Sequence, residues 1–316
     1  MWYPRPTRDR RLTPPARGST AISPAPEGTG AAAPLVSPVW LASHLGDPDL
    51  VILDCSWYLP ASARDADAEY LAAHIPGALR FDLDRASDHA TTLPHMLPRP
   101  EEFARIAERL GIRPSDHVVC YDGSGVNLSA ARAWWMFRVF GHRRVSVLDG
   151  GFAAWSAATR PVQRGAVRRE STGYPVPTID RSLVRSREDV EQIVAGSDRT
   201  QLADCRSAER FRGEVDEPRA GVGRGHIPTS RNVPYAELTD ADTGLMRSPA
   251  ALRSLLAEQG LDASQPIVAL CGSGTSAAAL ALAVEVIRGS GARAVGPPVA
   301  IYDGSWSEWG SATNPA

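Results

Sequence analysis

The chain has 316 residues, of which 43% are hydrophobic, and it carries a formal net charge of −2 at pH 7. This length favours two domains of about 100–150 residues each. The near-neutral charge gives no indication of a nucleic-acid or anionic-membrane partner. All 34 basic residues are arginine, so any anion site must use arginine, histidine or backbone N–H groups.

The first 35 residues are rich in proline, alanine, glycine and arginine, which predicts a disordered extension over 1–35. They lack the apolar segment of a secretory signal, and no later apolar stretch is long enough to predict a membrane span. The cysteines have neither zinc-site nor disulfide spacing, which indicates free thiols and no metal. Free thiols in turn favour a reducing compartment, so we predict a cytoplasmic protein. The cysteines are Cys55, Cys120, Cys205 and Cys271.

An internal repeat follows the extension. The segment VILDCS (51–56) recurs as QLADCR (201–206), and VVCYDGSG (118–125) recurs as IVALCGSG (267–274). Further matches in the same order include HIPGALRFDL with HIPTSRNVPYAEL, EEFARIAERLGI with AALRSLLAEQGL, and VLDGGFAAW with IYDGSWSEW. Ordered self-similarity of this kind predicts a duplicated domain. The predicted units are 36–158 and 178–312, joined by a linker over 159–177.

Each copy alternates short apolar strands with amphipathic helices, which predicts the α/β class. In FARIAERL, for example, Phe103, Ile106 and Leu110 share one helical face. Strands separated by helices imply crossover connections, hence a mainly parallel sheet with helices on both faces. Ligands bind such sheets beyond the carboxyl ends of the strands. Cys271 lies at a predicted end of this kind.

The loop after Cys271 favours a reactive thiol. Gly272 and Gly274 allow a tight turn into a predicted helix, whose N-terminal N–H groups and dipole would lower the pKa of the thiol. The GSG triplets align Cys271 with Asp122 of the first copy, so only the second copy is equipped for thiol chemistry. A buried structural cysteine beside an ordinary glycine turn stays open as an alternative. The other cysteines are interpreted as core residues.

These features together resemble the rhodanese superfamily and, within it, the mercaptopyruvate sulfurtransferases. The resemblance runs from about residue 36 to 310. The motifs that carry it are DCSWYLP, AEYLAAHIPGALRFDLD, HMLP, RAWWMFRVFGH, LDGGFAAW, RFRGEVDEPRAG, GHIP, CGSG and YDGSWSEW. The loop of that family usually reads CGSGVT; here Thr275 replaces the valine and Ser276 the threonine. The hydroxyl at the sixth position is thereby kept.

The resemblance implies a role for each matching residue. Cys271 would be the nucleophile, and Arg210 and Arg219 would bind the carboxylate and ketone of the substrate. A proton relay would link a serine of the second copy to a histidine and an aspartate of the first, which places the site in the interdomain cleft. The relay residues are Ser273, His95 and Asp84. The remaining loop residues, expected to hold the substrate and the bound sulfur, are Gly272, Gly274, Thr275 and Ser276.

The implied reaction moves sulfur from 3-mercaptopyruvate, through a persulfide on the cysteine, to a thiol acceptor such as thioredoxin or to cyanide. Pyruvate is released, and no metal or organic cofactor is needed. Thiosulfate sulfurtransferase is the nearest alternative, although such enzymes typically carry a cationic loop like CRKG. A non-catalytic rhodanese-like binding module is the alternative from another class. A related phosphatase is disfavoured because Leu270 precedes the cysteine and Ala277 stands where an arginine is needed, and a serine hydrolase because the glycines flank Ser273 directly.

Overall fold

The computed structural model describes residues 31–290 and 296–312. Most of the predicted disordered extension, residues 1–30, lies outside the described residues. The end of that prediction is wrong, because Leu35 is buried in a short strand. Just before it, the carbonyl of Pro34 accepts a hydrogen bond from Val147 N at 2.8 Å, and Ala32 N donates to Arg143 O at 3.3 Å. Such backbone pairing does not depend on side-chain composition, so composition alone sets the boundary too late.

The first domain contains strands that alternate with helices. Its strands are Leu35–Val36 (β1), Leu50–Asp54 (β2), Leu79–Arg80 (β3), His117–Tyr121 (β4) and Val145–Leu148 (β5). Its α-helices are Pro38–His44 (α1), Ala66–Ala72 (α2), Pro100–Arg109 (α3), Leu128–Val139 (α4) and Gly151–Ala157 (α5), with a 3-10 helix at Pro60–Ser62.

The second domain repeats this alternation. Its strands are Val184–Arg185 (β6), Gln201–Asp204 (β7), Arg231–Asn232 (β8), Ile267–Leu270 (β9) and Ala300–Tyr302 (β10). Its α-helices are Arg187–Val194 (α6), Ala208–Arg212 (α7), Pro249–Glu258 (α8), Thr275–Gly289 (α9) and Ser305–Ala312 (α10), with 3-10 helices at Arg181–Leu183 and Tyr235–Leu238.

The two sheets have the same topology. Within the described residues, the strand order is β1-β5-β4-β2-β3 in the first sheet and β6-β10-β9-β7-β8 in the second. Neighbouring strands in both sheets pair in parallel, for example Leu53 with Cys120 and Ala203 with Ala269. Helices cover both faces, as shown by the apolar clusters that α3 and α4 form on one face of the first sheet and α1 and α5 on the other. The predicted duplicated α/β fold is therefore confirmed.

The domains meet where α4 packs against α9. Both helices are buried over most of their length, as expected for helices that are apolar on more than one face. One continuous apolar core includes side chains from both domains. Ion pairs also cross the interface, between Arg132 and Asp303 at 2.7 Å and between Arg138 and Glu285 at 3.0 Å.

Each domain also extends a loop onto the other, in a pseudo-symmetric way. Leu97 N of the first domain donates to Asp303 Oδ2, and Met246 N of the second donates to Asp149 Oδ1, both at 2.8 Å. Two residues before each donor, the backbone is left-handed: φ is +59° at His95 and +68° at Gly244. The duplication thus extends to the contacts between the copies, and a histidine occupies one of the two equivalent turns.

The linker contacts the first domain closely. His74 and Gln163 form an isolated antiparallel bridge, and Thr172 Oγ1 donates to Ile112 O at 2.7 Å. Asp180 N then donates to Val139 O at the end of α4, at 2.8 Å. The linker therefore runs along the first domain and is hydrogen-bonded to it at several positions. The limits 159–177 remain our proposal for its extent.

The contact between Asp149 and the loop of the second domain can be tested by measuring stability at two pH values. Burial raises the pKa of Asp149 to about 6, so the folded state binds the proton more tightly than the unfolded state. The protonated carboxyl group therefore adds to the free energy of unfolding at pH values below its unfolded-state pKa near 4. This contribution is lost as the pH rises through about 6. Asp149→Asn removes the charge and keeps the acceptor for Met246 N. We expect the free energy of unfolding of this variant to exceed that of the unmodified protein by on the order of 1–3 kcal/mol at pH 7.5 and by much less at pH 4.5.

Thermal unfolding midpoints at the two pH values measure this difference. The control is Asp303→Asn, since the pseudo-equivalent Asp303 is paired with Arg132 and its neutralisation should lower the midpoint at pH 7.5. An Asp149→Asn midpoint at or below that of the unmodified protein at pH 7.5 would contradict the account.

Candidate active site

The thiol of Cys271 lies between a strand and a helix. Strand β9 ends at Leu270, and helix α9 begins at Thr275 after Gly274, which caps the helix with φ of +74°. The predicted position at the carboxyl end of a buried strand is therefore confirmed. Only 2% of the residue is exposed, so water is largely excluded from the sulfur.

The first turn of helix α10 is hydrogen-bonded to the backbone of this loop. Cys271 N donates to Ser305 Oγ at 3.2 Å, and Trp306 N donates to Cys271 O at 2.9 Å. The backbone N and the hydroxyl of Ser307 both donate to Gly272 O, at 3.0 and 2.5 Å. The loop after the cysteine is thus anchored through its carbonyl groups, which keeps its shape fixed.

The same loop leaves its N–H groups unused. In the described part of the chain, the backbone N–H groups of Gly272, Ser273 and Gly274 have no hydrogen-bond acceptor. The start of α9 adds the partial positive charge of a helix N-terminus. Unpaired donors and a helix terminus beside a sulfur atom are suited to stabilise a thiolate or persulfide anion.

The matching loop of the first domain is filled by its own side chains. Asp122 Oδ1 accepts hydrogen bonds from the backbone N and the hydroxyl of Ser124, at 2.8 and 2.5 Å. Gly123 N donates to Ser56 Oγ at 3.0 Å, and the Arg64 guanidinium donates to Gly123 O at 3.0 Å. The N–H groups of Gly123 and Ser124, which correspond to those of Gly272 and Ser273, are therefore already hydrogen-bonded, so the first loop is less open to an anion than the loop around Cys271.

His95 connects the two domains at the site. Its Nδ1 lies 3.0 Å from Ser273 Oγ, and its Nε2 lies 3.2 Å from Asp84 Oδ1. Asp84 has a side chain that is 63% exposed and is held by Trp57 Nε1, which donates to Oδ2 at 2.9 Å. The ring of Trp57 also meets the ring of His95 edge-on, with centroids 4.6 Å apart. The predicted relay residues are thus brought together, and Trp57 is a partner that sequence reasoning missed.

The surroundings of His95 keep its ring neutral. Burial lowers the pKa of His95 below its usual value, and the nearby cations Arg132 and Arg219 lower it further, while Asp84 raises it. The hydrogen bond from His95 in turn lowers the pKa of Asp84. A neutral imidazole that donates from Nε2 to the carboxylate presents the lone pair of Nδ1 to Ser273. This is the protonation state needed to accept a proton.

A second hydroxyl also faces His95. Thr275 Oγ1 lies 3.1 Å from His95 Nδ1 and 3.5 Å from Ser273 Oγ. Ser276 follows as the second residue of α9 and is half-buried. The contact of Thr275 with the histidine is not evident from the sequence, because it joins residues 180 positions apart.

Arg132 holds both sides of the site together and was not predicted. It is fully buried in α4, and its Nη2 donates to Asp303 Oδ1 at 2.7 Å and to the carbonyl oxygen of His95. Its Nη1 points to Gly274 O at 3.5 Å. One guanidinium therefore contacts the backbone of the relay histidine and the backbone of the cysteine loop. The only signal in the sequence is an arginine within the apolar stretch RAWWMF.

Arg210 lies next to the cysteine loop. Its guanidinium pairs with the buried carboxylate of Glu217, which also accepts from Arg206 Nη1 at 2.8 Å. A side-chain carbon at Gly272 would come within 2.9 Å of Arg210 Nη2, so glycine at this position leaves room for the arginine. Arg206 is itself buried and pairs with Asp204 at 2.6 Å. This chain of alternating charges orients Arg210 and was also missed.

Arg219 is the less restrained of the two predicted arginines. Within the described residues it has no hydrogen bond or ion pair, although it is half-buried. Burial lowers the pKa of Arg219, and the charge on Cys271 raises it. Its electrostatic partners also include Arg210, Glu217 and Asp84. The side chain therefore offers an unpaired cation near the thiol and the relay.

A cavity of about 350 Å³ lies elsewhere, on the first domain, and contains none of the predicted site residues. Three arginines, Arg80, Arg85 and Arg109, line this cavity, but none of its described lining residues is a cysteine, histidine, serine or threonine that could act as a nucleophile or proton relay. In the described part of the chain, no group of three or more histidine, cysteine or acidic side chains could hold a metal ion. The region around Cys271 is the better candidate for an active site.

Comparison with known proteins agrees with this assignment. The rhodanese-like domain family matches residues 37–158 and 186–312. The 3-mercaptopyruvate sulfurtransferase of Rattus norvegicus is 44% identical over 281 residues, covering 87% of this chain and 91% of its own. The thiosulfate sulfurtransferase of Cricetulus griseus is 41% identical over 281 residues, with the same coverages. The crystal structure of SseA from Escherichia coli has a TM-score of 0.77 at 38% identity and covers 88% of this chain and 100% of its own.

Two rhodanese-like domains and a thiol at the end of a central strand define a class of sulfur-transferring enzymes. The chain belongs to the rhodanese family, as a two-domain sulfurtransferase of the 3-mercaptopyruvate sulfurtransferase group.

Asp84→Asn tests the geometry of the relay. Because the hydrogen bond to Asp84 raises the pKa of His95, its removal should lower that pKa further. An NMR titration of the His95 ring measures the midpoint, and Asp88→Asn serves as the control, since Asp88 caps a nearby turn through an oxygen that asparagine retains. A His95 midpoint that rises or stays unchanged in Asp84→Asn would refute the proposed pairing.

Proposed function

We propose that this protein transfers sulfur from 3-mercaptopyruvate, through a persulfide on Cys271, to a thiol acceptor or cyanide. The observation that carries the proposal is the convergence at one thiol of unpaired loop N–H groups, an unpaired arginine and a hydroxyl–histidine–carboxylate chain. Each meets a separate need of the reaction: holding an anionic sulfur, binding a keto acid and moving a proton.

The chemistry starts with the thiolate of Cys271. It attacks the sulfur of 3-mercaptopyruvate, and the S–S bond forms as the C–S bond breaks. The electron pair of the broken bond leaves as the enolate of pyruvate, which positive charge stabilises. Arg219 and Arg210 supply that charge beside the loop. The thiol proton of the substrate finally resides on carbon 3 of pyruvate, so a thiolate and a mercaptopyruvate anion give a persulfide anion and a pyruvate anion.

The relay carries that proton. Ser273 accepts it from the sulfur while passing its own proton to Nδ1 of neutral His95, and the reverse transfer protonates the enolate. Asp84 stabilises the imidazolium between the two transfers. His95 must be neutral at the start, and its lowered pKa keeps it so at neutral pH.

The two arginines divide the binding of the substrate. Arg210 is fixed by Glu217 beside Gly272, whereas Arg219 is free to pair with a carboxylate. A planar guanidinium binds a carboxylate through paired, charge-assisted hydrogen bonds. We therefore assign the carboxylate of the substrate to Arg219 and the ketone oxygen to Arg210. Gly272, Gly274, Thr275 and Ser276 complete the loop that encloses the sulfur.

The persulfide is discharged by a nucleophile that attacks its outer sulfur, and the Cys271 thiolate leaves. A thiol protein such as thioredoxin, or cyanide, is the proposed acceptor. The four cysteines are free thiols, which supports the proposed cytoplasmic location. Among the described residues, no helix is long and apolar enough to cross a lipid bilayer.

Thiosulfate is the alternative donor, because one relative named above is a thiosulfate sulfurtransferase. Thiosulfate is a dianion whose leaving group, sulfite, needs several cations at the nucleophile. The loop positions directly after Cys271 are glycine and serine, and the chain has no lysine. A hydroxyl relay and two arginines suit 3-mercaptopyruvate better.

We expect a strong preference for 3-mercaptopyruvate over thiosulfate when steady-state rates with both donors are measured side by side. Equal efficiency with thiosulfate would contradict the assignment.

Cys271 is predicted to be the sole carrier of sulfur. Mass spectrometry after treatment with 3-mercaptopyruvate should find one added sulfur on Cys271 and none on Cys55, Cys120 or Cys205, which are buried and lack the open loop. Turnover by Cys271→Ser, or a persulfide found mainly on another cysteine, would refute the mechanism.

Arg219→Met tests the binding of the carboxylate. Loss of one charge-assisted contact costs about 1.5–3 kcal/mol, so kcat/KM for 3-mercaptopyruvate should fall by one to two orders of magnitude. Arg212→Met is the matched control, since Arg212 pairs with Glu214 on the exposed surface of the same region. Equal kcat/KM values for the two variants would rule out the assigned contact.

A further inference from the structure

We propose that Thr275 is a positioning residue of the proton relay: its hydroxyl shares Nδ1 of His95 with Ser273 and keeps that nitrogen hydrogen-bonded whenever Ser273 turns to the substrate. The inference rests on the proposed function for its catalytic meaning. Its structural basis is the cluster of two hydroxyls and one ring nitrogen within hydrogen-bonding distance of one another.

The geometry makes Thr275 and Ser273 nearly equivalent partners. Ser273 Oγ lies 3.0 Å and Thr275 Oγ1 3.1 Å from Nδ1, and the two oxygens are 3.5 Å apart. All three side chains are buried, so water does not readily replace a partner that moves away. A buried polar atom without a partner is destabilising, and each member of the cluster depends on the other two.

A neutral ring with its proton on Nε2 offers a single lone pair at Nδ1. Only one hydroxyl can donate to it fully at a time, and the other is left to donate elsewhere. When Thr275 donates to Nδ1, Ser273 Oγ–H can point to the substrate sulfur. When Ser273 passes a proton to the ring, the Oγ1 lone pairs of Thr275 can accept from the new Nδ1–H. A hydroxyl serves in both protonation states because it donates and accepts.

The backbone holds Thr275 in place for this task. It is the first residue of α9, directly after the left-handed Gly274, and its branched side chain has few rotamers. Arg132 contacts the carbonyl groups of both Gly274 and His95, so the two elements that carry the hydroxyl and the ring are tied to one guanidinium. Valine would fill the same space without the hydroxyl, which makes Thr275→Val a specific probe.

A double-mutant cycle tests the inference on the full-length protein. The variants are Ser273→Ala, Thr275→Val and their combination, assayed by single-turnover release of pyruvate from 3-mercaptopyruvate. A general acid–base group is worth about 10²–10⁴-fold. In Ser273→Ala, Thr275 still bonds Nδ1 and links the ring to the substrate, so we expect only about a tenfold loss. We expect less than about threefold for Thr275→Val, and at least about 300-fold for the pair, in which no hydroxyl remains on the ring. The combined loss then exceeds the product of the single losses, as coupled residues require.

The conservative variant separates the hydroxyl from packing. Ser273→Ala combined with Thr275→Ser should match Ser273→Ala alone, because the second hydroxyl is retained. Thermal unfolding of each variant shows whether it is folded at the assay temperature. Multiplicative losses across the cycle in folded protein would overturn the inference.

A spectroscopic readout gives an answer that does not depend on turnover. The ¹⁵N shift of His95 Nδ1 reports whether the nitrogen accepts a hydrogen bond. We expect it to stay bonded in each single variant and to lose the bond in the double variant. A shift in Ser273→Ala already equal to that of the double variant would overturn the inference. Failure of the unmodified protein to release pyruvate would refute the proposed function instead, and the NMR result would still decide the role of Thr275.

Discussion

The buried guanidinium of Arg132 is the interaction on which the site depends. It comes from the first domain, pairs with Asp303 of the second, and contacts the carbonyl groups of His95 and Gly274. A charge without solvent contact is tolerated only when it is paired and hydrogen-bonded. The chain meets that requirement by bringing the histidine turn and the end of the cysteine loop to the same cation. Closing the interface and assembling the site are therefore one event.

Duplication explains why a domain without a reactive cysteine persists. Each copy inserts a loop at the carboxyl ends of the strands of the other, where Asp303 holds Leu97 N and Asp149 holds Met246 N. In one of these equivalent places, His95 meets an open thiol loop. In the other, Gly244 approaches a loop in which the N–H groups of Gly123 and Ser124 are already hydrogen-bonded. The first domain has no cysteine in this loop, but it supplies two of the three relay residues, His95 and Asp84, to the site of the second domain.

The repeat and the periodicity of the sequence were enough to predict two α/β units and to place Cys271 at a strand end. Local pattern contains that information, because strands, helices and glycine turns are specified by neighbouring residues. The relay of Ser273, His95 and Asp84 came from a family resemblance, since no local pattern links residues so far apart. Arg132, Trp57 and the Thr275–His95 contact were not predicted for the same physical reason, because they join distant segments and are fixed only by packing. Glu217 is only 7 residues from Arg210, but it lies in a loop, where no periodicity indicates which side chains meet. The early start of β1 was missed because backbone pairing leaves no signature in composition.

The site is shared between the domains and assembled by Arg132, and single-turnover release of pyruvate measures this dependence on Arg132 directly. Arg132→Met and Arg138→Met form a matched pair, because both arginines lie on α4 and form ion pairs across the domain interface, but only Arg132 contacts the site. Arg132→Lys keeps the charge and serves as a second variant in case Arg132→Met does not fold. Circular dichroism identifies a temperature at which all three variants are folded. We expect a rate near that of the unmodified protein for Arg138→Met and a loss of about 100-fold, the scale of a disabled acid–base relay, for folded Arg132 variants. Folded Arg132 variants that released pyruvate as fast as Arg138→Met would contradict it.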